Sequence, residues 1–239
     1  MKILVISDVH ANIFALNAVL EKEADADKII CAGDLVNYGY FPHEVIERFR
    51  ELGIPAVCGN HDLEIVRNAT LKSGERAIGF TKFTIENVTK EDIEYLASLP
   101  RTLDFEADGI TYCVRHAYNT IERKNQFLLS VIKRDSLRAF DTRWSRFSAY
   151  PDAGKKCFII GHSHYASVFH LADDRFVYNP GTLYYGKGPD QRAYQAATYM
   201  IIEDGIPVFR HCDYDASVNL ALDKKTDRFG SGWKPEKRK

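Results

Sequence analysis

The sequence has no long apolar run. Nothing in it approaches the roughly 18–20 consecutive apolar residues that a membrane-spanning helix requires. The apolar start, Met1–Ser7, is cut off by Asp8 and His10. Val9–Leu20 lacks Asp, Glu, Lys and Arg but is short and carries Asn12 and Asn17, so neither a membrane span nor a secretory leader is expected. There is no C-x-x-C pair either. The five cysteines, Cys31, Cys58, Cys113, Cys157 and Cys212, are odd in number and scattered. Reduced, buried thiols in a cytoplasmic protein are the expectation. Charge bias is missing as well: 32 Lys+Arg stand against 33 Asp+Glu, a net of −1. This balance argues against nucleic acid or membrane as the main partner. It is uneven along the chain, with a net of −6 over residues 1–100 and +5 over residues 101–239. No internal repeat is present.

The 239 residues, 45% apolar and 27% charged, have the profile of a globular domain large enough to bury its own core. Lys2–Ser7 is a short Ile/Val-rich run of the kind found in buried parallel strands. Ile13, Leu16, Val19 and Leu20 recur at helical spacing behind Asn12, a plausible N-cap. Lys28–Ala32 reads as a second strand, His43–Leu52 as a helix and Ile54–Cys58 as a third strand. This alternation predicts βαβ units and a mainly parallel sheet at the N-terminal end. Helices are expected at Glu75–Asn87 and at Lys90–Ser98, the latter with Thr89 and Asp92 at capping-box spacing. Strands return at Thr102–Glu106, Ile110–Arg115, Cys157–Ile160, Ser167–Leu171, Arg175–Tyr178, Ala196–Glu203 and Pro207–His211. Asp108-Gly109 and Asp204-Gly205 signal hairpins between them. Residues 118–156 are expected to form a helical cap on the domain 1–222, and residues 223–239 a basic flexible C-terminal tail.

Five short polar stretches each follow directly on a strand-like run. They are Asp8-Val9-His10, Gly33-Asp34, Gly59-Asn60-His61-Asp62, His116 and Gly161-His162-Ser163-His164. They hold five of the eight histidines. Ligands of open α/β sheets bind outside the carboxyl ends of the strands, so strands sharing a sheet would bring all five stretches to one rim. Imidazole and carboxylate together suit a divalent transition ion. A carboxylate has two oxygens and can serve two ions. Two ions about 3.5–4 Å apart can hold a bridging hydroxide and clamp a phosphoryl group for in-line attack.

Taken in order, these stretches resemble the calcineurin-like metallophosphoesterases. The small, single-domain bacterial and archaeal branch is the best match, through Gly33-Asp34-Leu35-Val36-x-Tyr38-Gly39 and Asn179-Pro180-Gly181-Thr182. The resemblance implies an α/β fold, a four-layer α/β/β/α sandwich of two mixed sheets with flanking helices. It also implies two divalent ions, drawn from Mn, Fe, Zn, Ni or Co. Asp8, His10, Asp34 and His164 would hold the first and Asp34, Asn60, His116 and His162 the second, with Asp34 bridging. His61 would leave the metals alone and serve as the catalytic residue, protonating the leaving oxygen or stabilising its charge.

Two positions depart from the pattern. The family's fourth motif is usually His followed by Gly, and here Ala117 follows His116. The superfamily's protein Ser/Thr phosphatases carry Asp-Arg where this chain has Asn37-Tyr38. Asn37 supplies no charge and Tyr38 no guanidinium fork, which argues against a protein phosphatase. Asp62, next to His61, is a candidate to orient it instead. Asn37, Tyr38, Tyr40 and Phe41, or the Arg- and aromatic-rich residues 118–156, are placed to meet substrate, with aromatics available to stack on a nucleobase. The expected function is hydrolysis of a small phosphate ester: a phosphodiester, nucleotide or phosphomonoester. The alternatives are a nucleic-acid phosphodiesterase and a catalytically inactive interaction scaffold of the same fold.

Overall fold

The run Lys-Ile-Leu-Val-Ile has no polar face, and it becomes the central strand β1 (Lys2–Ile6). Its alternate side chains feed two cores. Leu4 and Ile6 pack with helices, whereas Ile3 and Val5 pack against a second sheet. The computed structural model describes residues 1–70, 79–116, 157–170, 176–184 and 196–226. After β1 come α1 (Ile13–Lys22), β2 (Lys28–Cys31), α2 (Pro42–Leu52), α3 (Asn60–Thr70), α4 (Gly79–Glu86) and α5 (Lys90–Ser98). The strands β3 (Thr102–Ala107), β4 (Ile110–Arg115), β5 (Cys157–Ile159), β6 (Ala166–His170), β7 (Phe176–Pro180), β8 (Ala196–Glu203) and β9 (Ile206–Asp213) follow, and α6 (Ser217–Thr226) ends the described chain. One sheet has the order β2-β1-β8-β9 and the other β3-β4-β5-β7-β6. Both are mixed. β1 is parallel to β2 and antiparallel to β8, while β4, β5 and β7 run parallel between antiparallel edges. The fold is α/β, with two mixed sheets and helices. The cap expected over residues 118–156 lies outside the described residues.

Local signals explain much of this. Asn12 caps α1 by accepting from the Ala15 N–H, and Thr89 and Asp92 form the reciprocal capping box of α5. Both Asp-Gly turns carry positive φ at both residues, 51° and 73° at Asp108-Gly109 and 51° and 75° at Asp204-Gly205. That is the type I′ geometry that joins β3 to β4 and β8 to β9 in register. All five cysteines are buried and no disulfide links them. Among the described residues no helix is long and apolar enough to cross a membrane.

Two expectations are corrected. Ile54–Cys58 is not a regular strand: it makes one parallel bridge, Cys31 to Ala56. Pro55 has no N–H to give a ladder, and the Cys58 N–H turns away to the Pro100 carbonyl at 2.7 Å. The N-terminal sheet is therefore not mainly parallel, because the far side of β1 is taken by antiparallel β8 from late in the chain. The polar stretch Asn60-His61-Asp62 forms the first turn of α3, with Ile65 buried below it. Helix α6 runs to Thr226, and residues 227–239 of the expected tail lie outside the described residues.

Away from the strand tips, Glu23 is a buried charge with three partners. It accepts from the Tyr199 hydroxyl at 2.6 Å, from Arg210 at 3.0 Å and from Lys2 at 2.9 Å. Burial works against its charge, but these hydrogen bonds outweigh burial and hold its pKa below the ordinary glutamate value. Replacing Glu23 by Ala leaves the Tyr199 hydroxyl buried without its acceptor, at an expected loss of about 2–4 kcal/mol. A lower urea midpoint at unchanged m-value checks this. The sign with pH follows from the lowered pKa. The stabilisation is present above the unfolded-state pKa of about 4.3 and disappears as pH falls through the folded-state value.

Candidate metal centre

The loops that leave β1, β2, β4 and β5 and the first turn of α3 converge between the tips of the two sheets. They converge in two groups. Asp8, His10 and His164 form one and Asp34, His116 and His162 the other, each with its ligand atoms within 4.8 Å of one another. In the first, His164 Nε2 lies 3.2 Å from Asp8 Oδ1 and 3.0 Å from His10 Nε2. In the second, Asp34 Oδ2 and Asn60 Oδ1 lie 3.0 and 3.1 Å from His116 Nε2, and Asn60 Oδ1 is 2.5 Å from His162 Nδ1. Asp34 Oδ2 is also 3.8 Å from His10 Nε2, so this one carboxylate stands between the groups. The structure thus brings together Asp8, His10, Asp34, Asn60, His116, His162 and His164.

Two rings are locked from behind. His10 Nδ1 lies 3.1 Å from the Val36 carbonyl and His116 Nδ1 2.7 Å from the Ala32 carbonyl. A carbonyl only accepts, so Nδ1 carries the proton in each ring and Nε2 turns toward the cluster. The Nε2 of His116 then faces two oxygens, and that of His10 faces another imidazole nitrogen. Electron-rich atoms packed this way repel unless positive charge sits among them. For His116, burial disfavours that charge, yet the Asp34 and Asp8 carboxylates outweigh burial and raise its pKa to about 10. Burial pushes His10 down to about 3, and burial with the nearby His116 charge pushes His162 down to about 4. Asp8, although buried, is lowered to about 2 by His164 and His116. Burial also opposes charge on Asp34, but His116 and His10 hold its carboxyl far below the usual range. Charged carboxylates, the neutral His10 and His162 rings and a His116 ring that would yield its proton to a bound cation fit divalent ions of the transition series.

The backbone is contorted to build the cluster. Of the ten described non-glycine residues with positive φ, eight are here: Asp8, His10, Ala11, Asp34, Asn37, Tyr38, His162 and His164. Such residues cost on the order of 1–3 kcal/mol each and persist where surroundings over-determine them. Glycine supplies the clearance at two points. A Cβ on Gly59 would fall on Asp34 Oδ1, and one on Gly161 would fall on Ser7 Oγ and within 2.7 Å of Asp8 Oδ2.

Comparison with known proteins agrees with this chemistry. The calcineurin-like phosphoesterase superfamily domain matches residues 1–203. The chain belongs to that superfamily. An uncharacterised protein of Methanocaldococcus jannaschii is 30% identical over 210 residues, 84% of this chain and 82% of the relative. A metallophosphoesterase from Sphaerobacter thermophilus has a solved structure that matches with a TM-score of 0.69 at 25% identity, covering 95% of each chain. A hypothetical protein from Pyrococcus horikoshii shares the fold, with a TM-score of 0.77 at 17% identity over 95% of this chain and 94% of that one.

Within this superfamily domain, the neighbours of His61 differ from those expected. Asp62 does not orient it. The Asp62 carboxylate is fully buried and accepts from the backbone N–H groups of Asp34, Leu35, Val36 and Gly59 at 2.8–3.3 Å. It ties the Asp34 loop to the start of α3, and burial together with the Asp34 charge raises its pKa to about 6. His61 is met instead by Asn37, which is only 2% exposed. The Tyr38 N–H donates to Asn37 Oδ1 at 3.1 Å, which fixes the amide orientation. Asn37 Nδ2 therefore donates to His61 Nδ1 at 2.9 Å, leaving the ring's proton on Nε2. Glu64 Oε2 lies farther off, 3.5 Å from the same nitrogen. Burial disfavours the His61 cation, but Glu64 and Asp34 outweigh burial and raise its pKa. Tyr40 and Phe41 also turn away from the cluster. The Tyr40 hydroxyl donates to Asp223 at 2.5 Å, and Phe41 packs edge-on against Phe14.

The motif Asn179-Pro180-Gly181-Thr182 braces the cluster. Asn179 is buried, and its Nδ2 donates to the Gly161 carbonyl at 2.8 Å and to Ser163 Oγ at 2.9 Å, while its Oδ1 accepts from the Gly181 N–H at 2.9 Å. This single amide holds the turn that presents His162 to one group and His164 to the other. Thr182 Oγ1 donates to the Asp8 carbonyl at 2.8 Å. Asn179→Asp keeps the size but sets a carboxylate oxygen against the Gly161 carbonyl. It is expected to weaken metal binding about 10- to 100-fold, the usual cost of losing an outer-sphere partner. Titration calorimetry with Mn or Zn, beside an unchanged far-ultraviolet circular dichroism spectrum, checks it.

Proposed function

We propose that the chain hydrolyses a small phosphate ester at a dinuclear metal site. The observation that carries this is the Asp34 carboxylate set between two ligand groups of matching composition. Asp8, His10, Asp34 and His164 would hold one ion and Asp34, Asn60, His116 and His162 the other. Bound there, such ions supply an activated water-derived nucleophile and charge neutralisation for the phosphoryl group. The remaining work falls to protein groups. His61 keeps a proton on Nε2, fixed by Asn37, and would give it to the leaving oxygen or hydrogen-bond the charge that develops there. The buried Asp62 and Asn179 keep the loops from relaxing. Retention of His61 beside a full ligand set favours an enzyme over an inactive scaffold.

The test is removal and return of metal. Chelated, dialysed protein is expected to lose hydrolysis of generic phosphate mono- and diesters. Reloading with Mn, Fe, Co, Ni or Zn is expected to restore it as occupancy approaches two ions per chain. Protein that binds no transition ion, and stays inert on both ester types with every ion, would exclude this function.

A further inference from the structure

Three aromatic rings from distant parts of the chain meet beside the cluster. Tyr38 lies 4.4 Å from His61 and 4.7 Å from His10, centroid to centroid. Phe80, from α4, meets Tyr38 edge-on at 5.2 Å, and Tyr184 lies 5.5 Å from Tyr38 and 5.3 Å from His10. Tyr38, Phe80 and Tyr184 are half-exposed, whereas His10 beneath them is fully buried. Two further observations say this is more than packing. Tyr38 adopts φ of 59°, a conformation that a bulky side chain takes only under constraint, and it follows Asn37 at 71°. The Tyr38 hydroxyl also makes no hydrogen bond to any described residue, although the ring is placed against the proton-bearing His61. Tyr184 is set with comparable care. Its N–H donates to Thr182 Oγ1 at 2.9 Å, and that hydroxyl donates to the carbonyl of Asp8. Its ring position is therefore referenced to the ligand loop itself.

We propose that Tyr38, with Phe80 and Tyr184, forms a stacking platform that selects phosphate esters whose organic group is a planar aromatic system, such as a nucleobase or aryl ring. The platform is uncharged and borders His61, so it can receive the organic side of the ester while the phosphate faces the ligand groups. It refines the phosphoesterase reading and rests on it. Stacking of a base on an aromatic side chain contributes roughly 5- to 150-fold in affinity, from alanine-substitution energies of ~1–3 kcal/mol.

Adenosine 5′-monophosphate and ribose 5-phosphate share phosphate and sugar and differ only in the base, so their affinity ratio isolates the platform. The ratio is read by calorimetry on the metal-loaded full chain in a His61→Ala background, and turnover of both compounds is measured on the parent protein. The nucleotide is expected to bind at least about 5-fold more tightly. Tyr38→Leu keeps a Cβ, the backbone constraint and apolar bulk over His10, so the ratio should collapse toward unity. Tyr38→Phe should preserve it. Tyr184→Leu gives the second, independent variant should Tyr38→Leu lose metal or fold. Equal affinities in the His61→Ala background with the platform intact, an unchanged ratio in both Leu variants, or no binding of either compound overturns the platform. A nucleotide preference that Tyr38→Leu removes supports the platform even if neither compound is hydrolysed, and in that case the phosphoesterase reading falls alone. Equal binding with equal hydrolysis leaves that reading standing and removes the platform.

Discussion

Replacing Asp34 by asparagine is expected to empty both metal positions together and to remove catalysis. Asp34 is 1% exposed and, among the described residues, is the only carboxylate placed between the two ligand groups. Its Oδ2 faces His116 Nε2 at 3.0 Å and His10 Nε2 at 3.8 Å, while its Oδ1 accepts from the His61 N–H at 2.9 Å. Asparagine has the same outline and can still accept at Oδ1, so the first turn of α3 should keep its place. What it lacks is the charge that offsets two cations at once, and the amide nitrogen would bring hydrogens where lone pairs must point. Loss of an outer-sphere partner alone costs ~10- to 100-fold in affinity. Loss of a shared ligand should exceed the upper end of that range at each position. Metal analysis after dialysis, beside a circular dichroism spectrum, decides it. Folded Asp34→Asn protein that still retains two ions would contradict the bridging role.

The strands and helices legible in the sequence were those specified by their own residues. β1 is apolar at every position after Lys2, α5 has both halves of its capping box, and the two hairpins carry Asp-Gly at the turn. Elements that depend on distant partners read poorly. Ile54–Cys58 looks like a strand, but Pro55 and the Pro100 carbonyl reduce it to one bridge. The start of α3 looks like a loop because Asn60, His61 and Asp62 are turn-forming residues. Asp62 resolves that ambiguity only in three dimensions, by accepting the Gly59 N–H and three more from the Asp34 loop. The site follows the same rule. Histidine and aspartate after strand-like runs announce themselves by type and position. The partnership of Asn37 with His61, the bracing by Asn179 and the ring of Tyr184 involve common residue types whose roles come from neighbours far away in sequence. The Asn-Pro-Gly-Thr motif is the one signal for the brace in the sequence, and its chemistry depends on Gly161 and Ser163, which only the fold brings beside it.

His61→Ala should separate catalysis from metal binding more cleanly than any other change. The ring is not among the atoms of either ligand group. Its contribution to the Asp34 loop is made by the backbone N–H, which alanine retains. Metal content should therefore stay at the parent level. The rate should fall by about 10²–10⁴, the usual range for removing a positioned general acid. The size of the fall should depend on the leaving group. An alkoxide needs its proton in the transition state, so alkyl esters should suffer most. A nitrophenolate leaves without one, so nitrophenyl esters should suffer least. The role of Asn37 follows from the same logic, since Asn37→Ala keeps the imidazole but frees its tautomer and rotamer. It should show a smaller loss with the same leaving-group dependence, because the amide acts only by holding the Nε2 proton where the ester oxygen departs. A uniform loss across leaving groups would instead assign His61 to binding the phosphoryl oxygens, and a loss of metal would place it within the ligand set.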